Sequence, residues 1–270
     1  VPASVHLDQG SGPVVVLLHG VGAGPEAFDR LVAELGDDHR CVVVARPGGG
    51  GGAVPLIDQA DAVAAAVETV DAAGGLLVGV SGGATLGLLV AQRHPNLFAR
   101  HLLHEPLVGP LAPALHARFV DAADRAARSL NDAMGVVRAV MGPDAWEALG
   151  PDGQQRSTIE AARWQAEVAA FAAFAPTADD LAAIAPLAVT VSIGERSGPE
   201  RREAAEVLVH HAAVELATVP GSGNAPHLDG PHALAALVRS VLASPLAAAS
   251  AAGPAPDLRP APCSPVGGPS

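Results

Sequence analysis

Residues 76–84 read Leu76-Leu77-Val78-Gly79-Val80-Ser81-Gly82-Gly83-Ala84, and this stretch decides the fold. Leu76–Val80 is a short unbroken apolar run, the pattern of a strand covered on both faces. Residues 83–94 carry helical spacing and stop before Pro95. A G-x-S-x-G sequence between a strand and a helix has the form of a nucleophile elbow. The serine of such an elbow sits on a tight, strained turn, so its neighbours must be small. The turn lifts Ser81 Oγ above the sheet and aims the Gly82 N–H at a developing oxyanion. The competing reading is a glycine-rich turn with an incidental serine. The strand before it and the helix after it argue against that.

Outward from the elbow, strand and helix patterns alternate. Val14–Leu18 is a continuous apolar run before a glycine-rich turn, residues 25–35 have helical spacing, and residues 41–45 form a β-branched run. Residues 58–73 are alanine-rich, with apolar side chains at 60, 63, 64, 67 and 70, and Gly74-Gly75 ends them. Residues 99–104 are strand-like. Apolar strands between helices predict a mostly parallel central sheet with helices on both faces, an α/β fold.

Strand signals vanish between Pro106 and Pro186, where helical stretches follow at 113–128, 132–140, 154–174 and 178–184. Alternation then resumes, with strands at 187–193 and 213–219 and helices at 199–210 and 232–242. The expected organisation is a core of residues 1–105 and 187–243, a helical cap of residues 106–186, and a disordered Ala/Pro/Gly-rich tail of residues 244–270.

Composition narrows the chemistry. Of 270 residues, 49% are hydrophobic and 3% aromatic, enough to bury a full core. Lysine and tyrosine are absent, which removes Schiff-base lysine, phosphate-loop lysine and tyrosine acid–base mechanisms. The formal net charge of -12 disfavours nucleic acid and anionic lipid as partners. Two cysteines, Cys41 and Cys263, do not make a disulfide framework or a zinc site. No secretory signal and no membrane span are visible. The expectation is a soluble cytoplasmic protein acting on a small molecule, with no cofactor, no nucleic acid and no membrane partner. Oligomeric state is not readable.

A second motif is Leu17-Leu18-His19-Gly20-Val21-Gly22, a strand ending in His-Gly about sixty residues before the elbow. With it the chain resembles the α/β-hydrolase superfamily over residues 3–105 and 187–243. The resemblance implies the α/β-hydrolase fold with a helical cap inserted after the sixth strand. It also implies a serine hydrolase that cleaves a carboxylic ester, lactone or thioester through an acyl-enzyme on Ser81. Val21 would give the second oxyanion N–H beside that of Gly82, and His19 would be structural. A dinucleotide turn at Gly20–Gly24 competes, but Pro25 stands where its third glycine belongs and Arg46 where its acidic residue belongs. The five glycines 48–52 match a flexible loop of the family; without a lysine they read poorly as a phosphate site.

The late loop departs from the family. It reads Pro220-Gly221-Ser222-Gly223-Asn224-Ala225-Pro226-His227, and the catalytic histidine's slot holds Asn224. A carboxamide orients or donates a hydrogen bond but does not shuttle a proton near neutral pH. Three readings stand side by side. His227 takes over as base through a shifted loop; His227 only lines the pocket of a poor hydrolase; or Asn224 is a lone substitution in an ordinary one. The usual acid slot, three residues after Gly194, holds Ser197. Glu105, at the end of the strand before the cap, is the first choice for an acid, and Glu195 is the alternative. The rival function is a hydrolase-fold protein with a degenerate triad, a ligand binder or a non-hydrolytic cyclase or lyase.

The remaining side chains have plainer readings. His101 and His104 point to opposite faces of one strand, so no metal site is expected. His94, His210 and His211 end helices. Trp146, Trp164, Phe171 and Phe174 fall in the cap, where they pack and can roof a pocket.

Overall fold

The structure is a computed structural model and describes residues 2–47 and 54–245. The glycine run at 48–52 and residues 246–270, nearly all of the expected tail, lie outside the described residues.

Seven strands form one sheet: β1 (Ser4–Gln9), β2 (Val14–Leu18), β3 (Arg40–Ala45), β4 (Leu76–Val80), β5 (Arg100–His104), β6 (Val189–Gly194) and β7 (Glu215–Val219). Their spatial order is β1-β3-β2-β4-β5-β6-β7, with β1 antiparallel to β3 and every other pair parallel. Between them run α1 (Asp29–Leu35), α2 (Leu56–Glu68), α3 (Gly82–Arg93), then α4 (Pro113–Ala126), α5 (Leu130–Met141), α6 (Pro143–Ala148), α7 (Gly150–Ile159), α8 (Ala161–Ala172) and α9 (Ala178–Ala182). After β6 come α10 (Pro199–Ala212), α11 (Pro226–Asp229) and α12 (Pro231–Ala243).

The two-residue period of a strand divides the core. Val15 and Leu17 share an apolar cluster with Leu31 and Leu35 of α1 and Leu234 and Val238 of α12. Val16 and Leu18 share another with Val63 and Val67 of α2 and Leu86 and Val90 of α3. A sheet buried this way needs apolar residues at every position, which explains why β2 and β4 read as unbroken runs.

Helices α4–α9 all lie between β5 and β6, which corrects one expectation. The helical insertion follows the fifth strand, not the sixth. Among the described residues a single strand, β1, precedes Val14–Leu18. The sequence hid β1 because it is a half-exposed edge strand. The long helix expected over 154–174 is two helices, broken at Glu160 (φ -89°, ψ 13°).

Helices α4, α5 and α8 pack on one another. Met134, Val137 and Trp164 of this group meet Ala23 and Ala225, which lie in the loops after β2 and β7. The insertion therefore sits over the carboxyl ends of the strands, where parallel α/β sheets place their ligands. Among the described residues no helix is long and apolar enough to cross a membrane.

Candidate active site

Ser81 is the residue after β4 and the N-cap of α3. Its backbone is at φ 53°, ψ -116°, a region that costs a non-glycine residue about 1–3 kcal/mol. Two hydrogen bonds hold it there: Ser81 N–H donates to His104 O at 2.8 Å, and Thr85 N–H donates to Ser81 O at 3.0 Å. The turn is too tight for a side chain behind the serine. A Cβ on Gly79 would lie 2.6 Å from Gly83 O and 2.7 Å from the Ala84 Cα.

The turn after β2 closes on the elbow. A Cβ on Gly20 would meet the Ser81 Cβ at 3.2 Å, and one on Gly82 would meet Val21 Cγ2 at 3.3 Å. The Gly82 N–H is in the first turn of α3, where backbone donors have no intrahelical partner. Ser81, Val21 and Gly82 line one small apolar cavity, closed by Phe119, Val137, Val140 and Phe171. It holds about 10 Å³, room for about one water molecule.

Glu105 is the residue after β5, and its N–H continues the sheet ladder to Ser192 O at 2.9 Å. It too has a left-handed backbone, φ 52°. Its carboxylate is buried and fully engaged. Oε1 accepts from Gly194 N–H at 2.9 Å and from the Ser197 hydroxyl, and Oε2 accepts from Asn224 Nδ2 at 2.7 Å. Arg201 Nε lies 3.5 Å from Oε2. Burial raises the carboxyl pKa. The Arg201 guanidinium and the hydrogen bonds from Ser197 and Gly194 outweigh burial and hold it below the ordinary value. A carboxylate only accepts hydrogen bonds, so the Asn224 amide has to face it with nitrogen.

The loop carrying Asn224 is pinned on both sides. His104 Nε2–H donates to Gly223 O at 3.0 Å, while Asp229 Oδ2 accepts from Gly223 N–H at 3.0 Å. Burial keeps His104 neutral, and its Nδ1 meets Ser192 Oγ at 3.0 Å. Glu105 and Asn224 line a second cavity of about 370 Å³, with Arg118, Arg196 and Arg201 on its wall. The two cavities share Phe119 and Val140.

His227 does not join this arrangement. It lies in α11, buried, with its ring 4.8 Å from that of Phe28. Neither ring nitrogen has a hydrogen-bond partner among the described residues, and burial lowers its pKa to about 3. It lines neither cavity. The expectation that His227 replaces the missing base finds no hydrogen bond to carry it: the ring packs against Phe28, a residue of the sheet-side apolar cluster. Glu195 also points elsewhere, accepting from Gly221 N–H at 2.8 Å. Thus Glu105 and Asn224 meet, Ser81 faces the adjoining cavity with Val21 and Gly82, and His227 and Glu195 stand apart. Among the described residues no group of three or more His, Cys, Asp or Glu side chains could hold a metal.

A family model described as "Alpha/beta hydrolase family" matches residues 15–237, most of the chain. The chain belongs to the alpha/beta hydrolase family. It is thereby an enzyme of that class, and solved hydrolases share its architecture. It is 18% identical to a thermophilic esterase from Thermogutta terrifontis, covering 89% of this chain and 92% of that one with a TM-score of 0.71. For an esterase from Exiguobacterium antarcticum the values are 18%, 89% and 95%, with a TM-score of 0.74. For an enol-lactonase from Burkholderia xenovorans they are 18%, 90% and 96%, with a TM-score of 0.69. At that identity the likeness is one of fold. No curated protein matches the sequence.

In this hydrolase, sequence reading missed three parts of the site. Ser197, which stands in the usual acid slot, donates to the Glu105 carboxylate. Arg201 and His104 were given no role, yet one faces the Glu105 carboxylate and the other holds Gly223. A serine in an acid's slot together with a glutamate at the preceding strand end was the available signal.

Proposed function

We propose that the protein is a serine hydrolase of slow intrinsic turnover, acting on a small carboxylic ester, lactone or thioester. The observation that carries this is the backbone of Ser81. A φ of 53° at a serine, in a turn where neither Gly79 nor Gly83 has room for a Cβ, is backbone strain. Its use is to present Oγ to a carbonyl whose oxygen rests on the Val21 and Gly82 N–H groups. Ser81 Oγ attacks the carbonyl carbon as its proton is lost to water, the C–O or C–S bond breaks and the alkoxide or thiolate takes a proton from water (in a lactone it stays tethered to the acyl group), and a second water cleaves the acyl-enzyme to give the carboxylic acid and the free Ser81 hydroxyl. Residues 106–186 act as the cap over this site on a core of residues 1–105 and 187–243.

Asn224 sets the rate. Its carboxamide does not take up the serine's proton, so that proton passes to water. Loss of the base of a serine triad costs on the order of 10⁴–10⁶ in rate. A second reading draws on the same Asn224–Glu105 hydrogen bond: a protein that binds a carbonyl compound, or cyclises or eliminates it, without hydrolysis.

Fluorophosphonate labelling followed by intact mass and peptide mapping tests the proposal. One phosphonyl group on Ser81, absent from Ser81→Ala, supports the hydrolase. If the wild type stays unlabelled over long incubation, the hydrolase reading falls and the second one takes its place.

A further inference from the structure

Arg46, the residue after β3, is buried, and its guanidinium reaches two parts of the molecule at once. Nη2 donates to Gly20 O at 2.9 Å and to Glu167 Oε2 of α8 at 2.7 Å. Nη1 donates to Gln59 Oε1 at 3.2 Å. Glu167 is held in turn by Arg163 Nε at 2.9 Å. Gly20 O has a second donor, His19 Nδ1–H at 3.0 Å, while His19 Nε2 accepts from Arg46 N–H at 3.4 Å. Burial, reinforced by the charges of Arg46 and Arg163, keeps His19 neutral, as that pattern of one donor and one acceptor requires.

Gly20 O and Val21 N–H belong to one peptide unit. That unit is planar and trans, so its C=O and N–H point in opposite directions. Whatever fixes the carbonyl fixes the direction of the Val21 N–H, and donors on the carbonyl also strengthen the N–H as a donor. We propose that Arg46 and Glu167 are positioning residues for the reaction: they clamp the Gly20–Val21 peptide so that its N–H faces the oxyanion, and they make that alignment depend on helix α8 being docked. The inference rests on the reading of Ser81 as the acyl acceptor.

The network has features of a device built for orientation. A buried ion pair between side chains 121 positions apart adds little stability over apolar packing of the same shape. This one leaves Arg46 Nε and Arg163 Nη2 buried without partners among the described residues. What it does supply is direction at one carbonyl.

The test compares the rate of Ser81 phosphonylation in the full chain, in an Asn224→His background, where labelling is expected to be quicker. Arg46→Met alone strands a buried Glu167 carboxylate and risks unfolding. The informative variant is therefore Arg46→Met/Glu167→Leu, which exchanges the pair for apolar side chains of similar size. Its thermal midpoint should stay near the parent's while labelling slows at least tenfold and amide exchange across residues 19–22 quickens. Arg46→Lys, which keeps one donor within reach of Gly20 O, should restore part of the rate. Parent-like labelling and exchange in the folded double variant would overturn the positioning role and leave the Ser81 reading intact. A parent that never labels would overturn both.

Discussion

Asn224 Nδ2 donates to Glu105 Oε2 at 2.7 Å, so the carboxamide occupies the partner position of a buried, ionised acid. This is the place from which an imidazole would be oriented and its positive charge stabilised. Such an imidazole would meet Glu105, held by its donors Ser197 and Gly194, on a loop pinned at Gly223.

Asn224→His should therefore raise the rate of fluorophosphonate labelling at Ser81 by on the order of 10²–10⁴, the usual worth of a positioned general base. The gain should follow a single titration, rising with pH as the new imidazole deprotonates. The measurement is the second-order labelling rate between pH 5 and 9. An unchanged rate in a folded variant would show that the Glu105 carboxylate does not orient a base toward Ser81.

His227 makes an opposite prediction. It is buried neutral, its folded pKa near 3 against an ordinary 6.5. The unfolded chain therefore binds the proton first, and stability falls as pH drops from about 6.5 toward 3. At pH 5 that linkage removes about 2 kcal/mol relative to neutral pH. His227→Phe keeps a ring against Phe28 and removes the linkage. Its urea midpoint should exceed the wild type's at pH 5 and differ less at pH 7.5. Labelling at Ser81 should stay within about twofold of wild type, since the ring lines neither cavity. Loss of labelling in a folded His227→Phe protein would restore His227 as the base.

Glu105→Gln removes the anion facing Arg201 and the donors Ser197, Gly194 and Asn224. Breaking one side of a buried charged cluster costs about 3–5 kcal/mol. The folded pKa of Glu105 is depressed below the ordinary 4.5. Its contribution is thus complete above that value and is lost as pH falls through the lower folded value. Wild type and variant should differ most in urea stability near neutral pH and converge in acid. A difference that does not shrink below pH 4 would mean that Glu105 is not ionised in the fold.

The elbow was legible because its meaning is local: strand, small residues, serine and helix adjoin in sequence. The placement of Glu105 was legible for a related reason, since a strand end beside the elbow's strand is fixed by the sheet order. The position of His227 was not. It depended on whether one proline-initiated turn, α11, carries the ring outward or inward, and packing against Phe28, nearly 200 residues away, decides that. Arg46 and Glu167 were hidden for the same reason, because nothing in residues near 46 announces a partner on α8. The missed β1 shows the remaining limit: an edge strand with one wet face has too weak an apolar pattern to stand out.

Phe171 closes the cavity at Ser81, with its ring 2.8 Å from where a Cβ on Gly82 would lie. With space for about one water there, the serine should accept only the shortest acyl groups. Nitrophenyl acetate should be cleaved faster than the hexanoate, by at least about tenfold, since two or more unaccommodated methylenes are worth more than 1 kcal/mol. Phe171→Leu removes ring volume without stranding a polar group and should narrow or invert that ratio while leaving acetate turnover near wild type. Val168 and Val140 line the same cavity from two different helices, so the preference belongs to the packing of the helical insertion and not to the elbow. A wild-type preference for the longer ester would place the acyl chain in the 370 Å³ cavity beside Asn224 instead, and would leave Phe171 as packing alone.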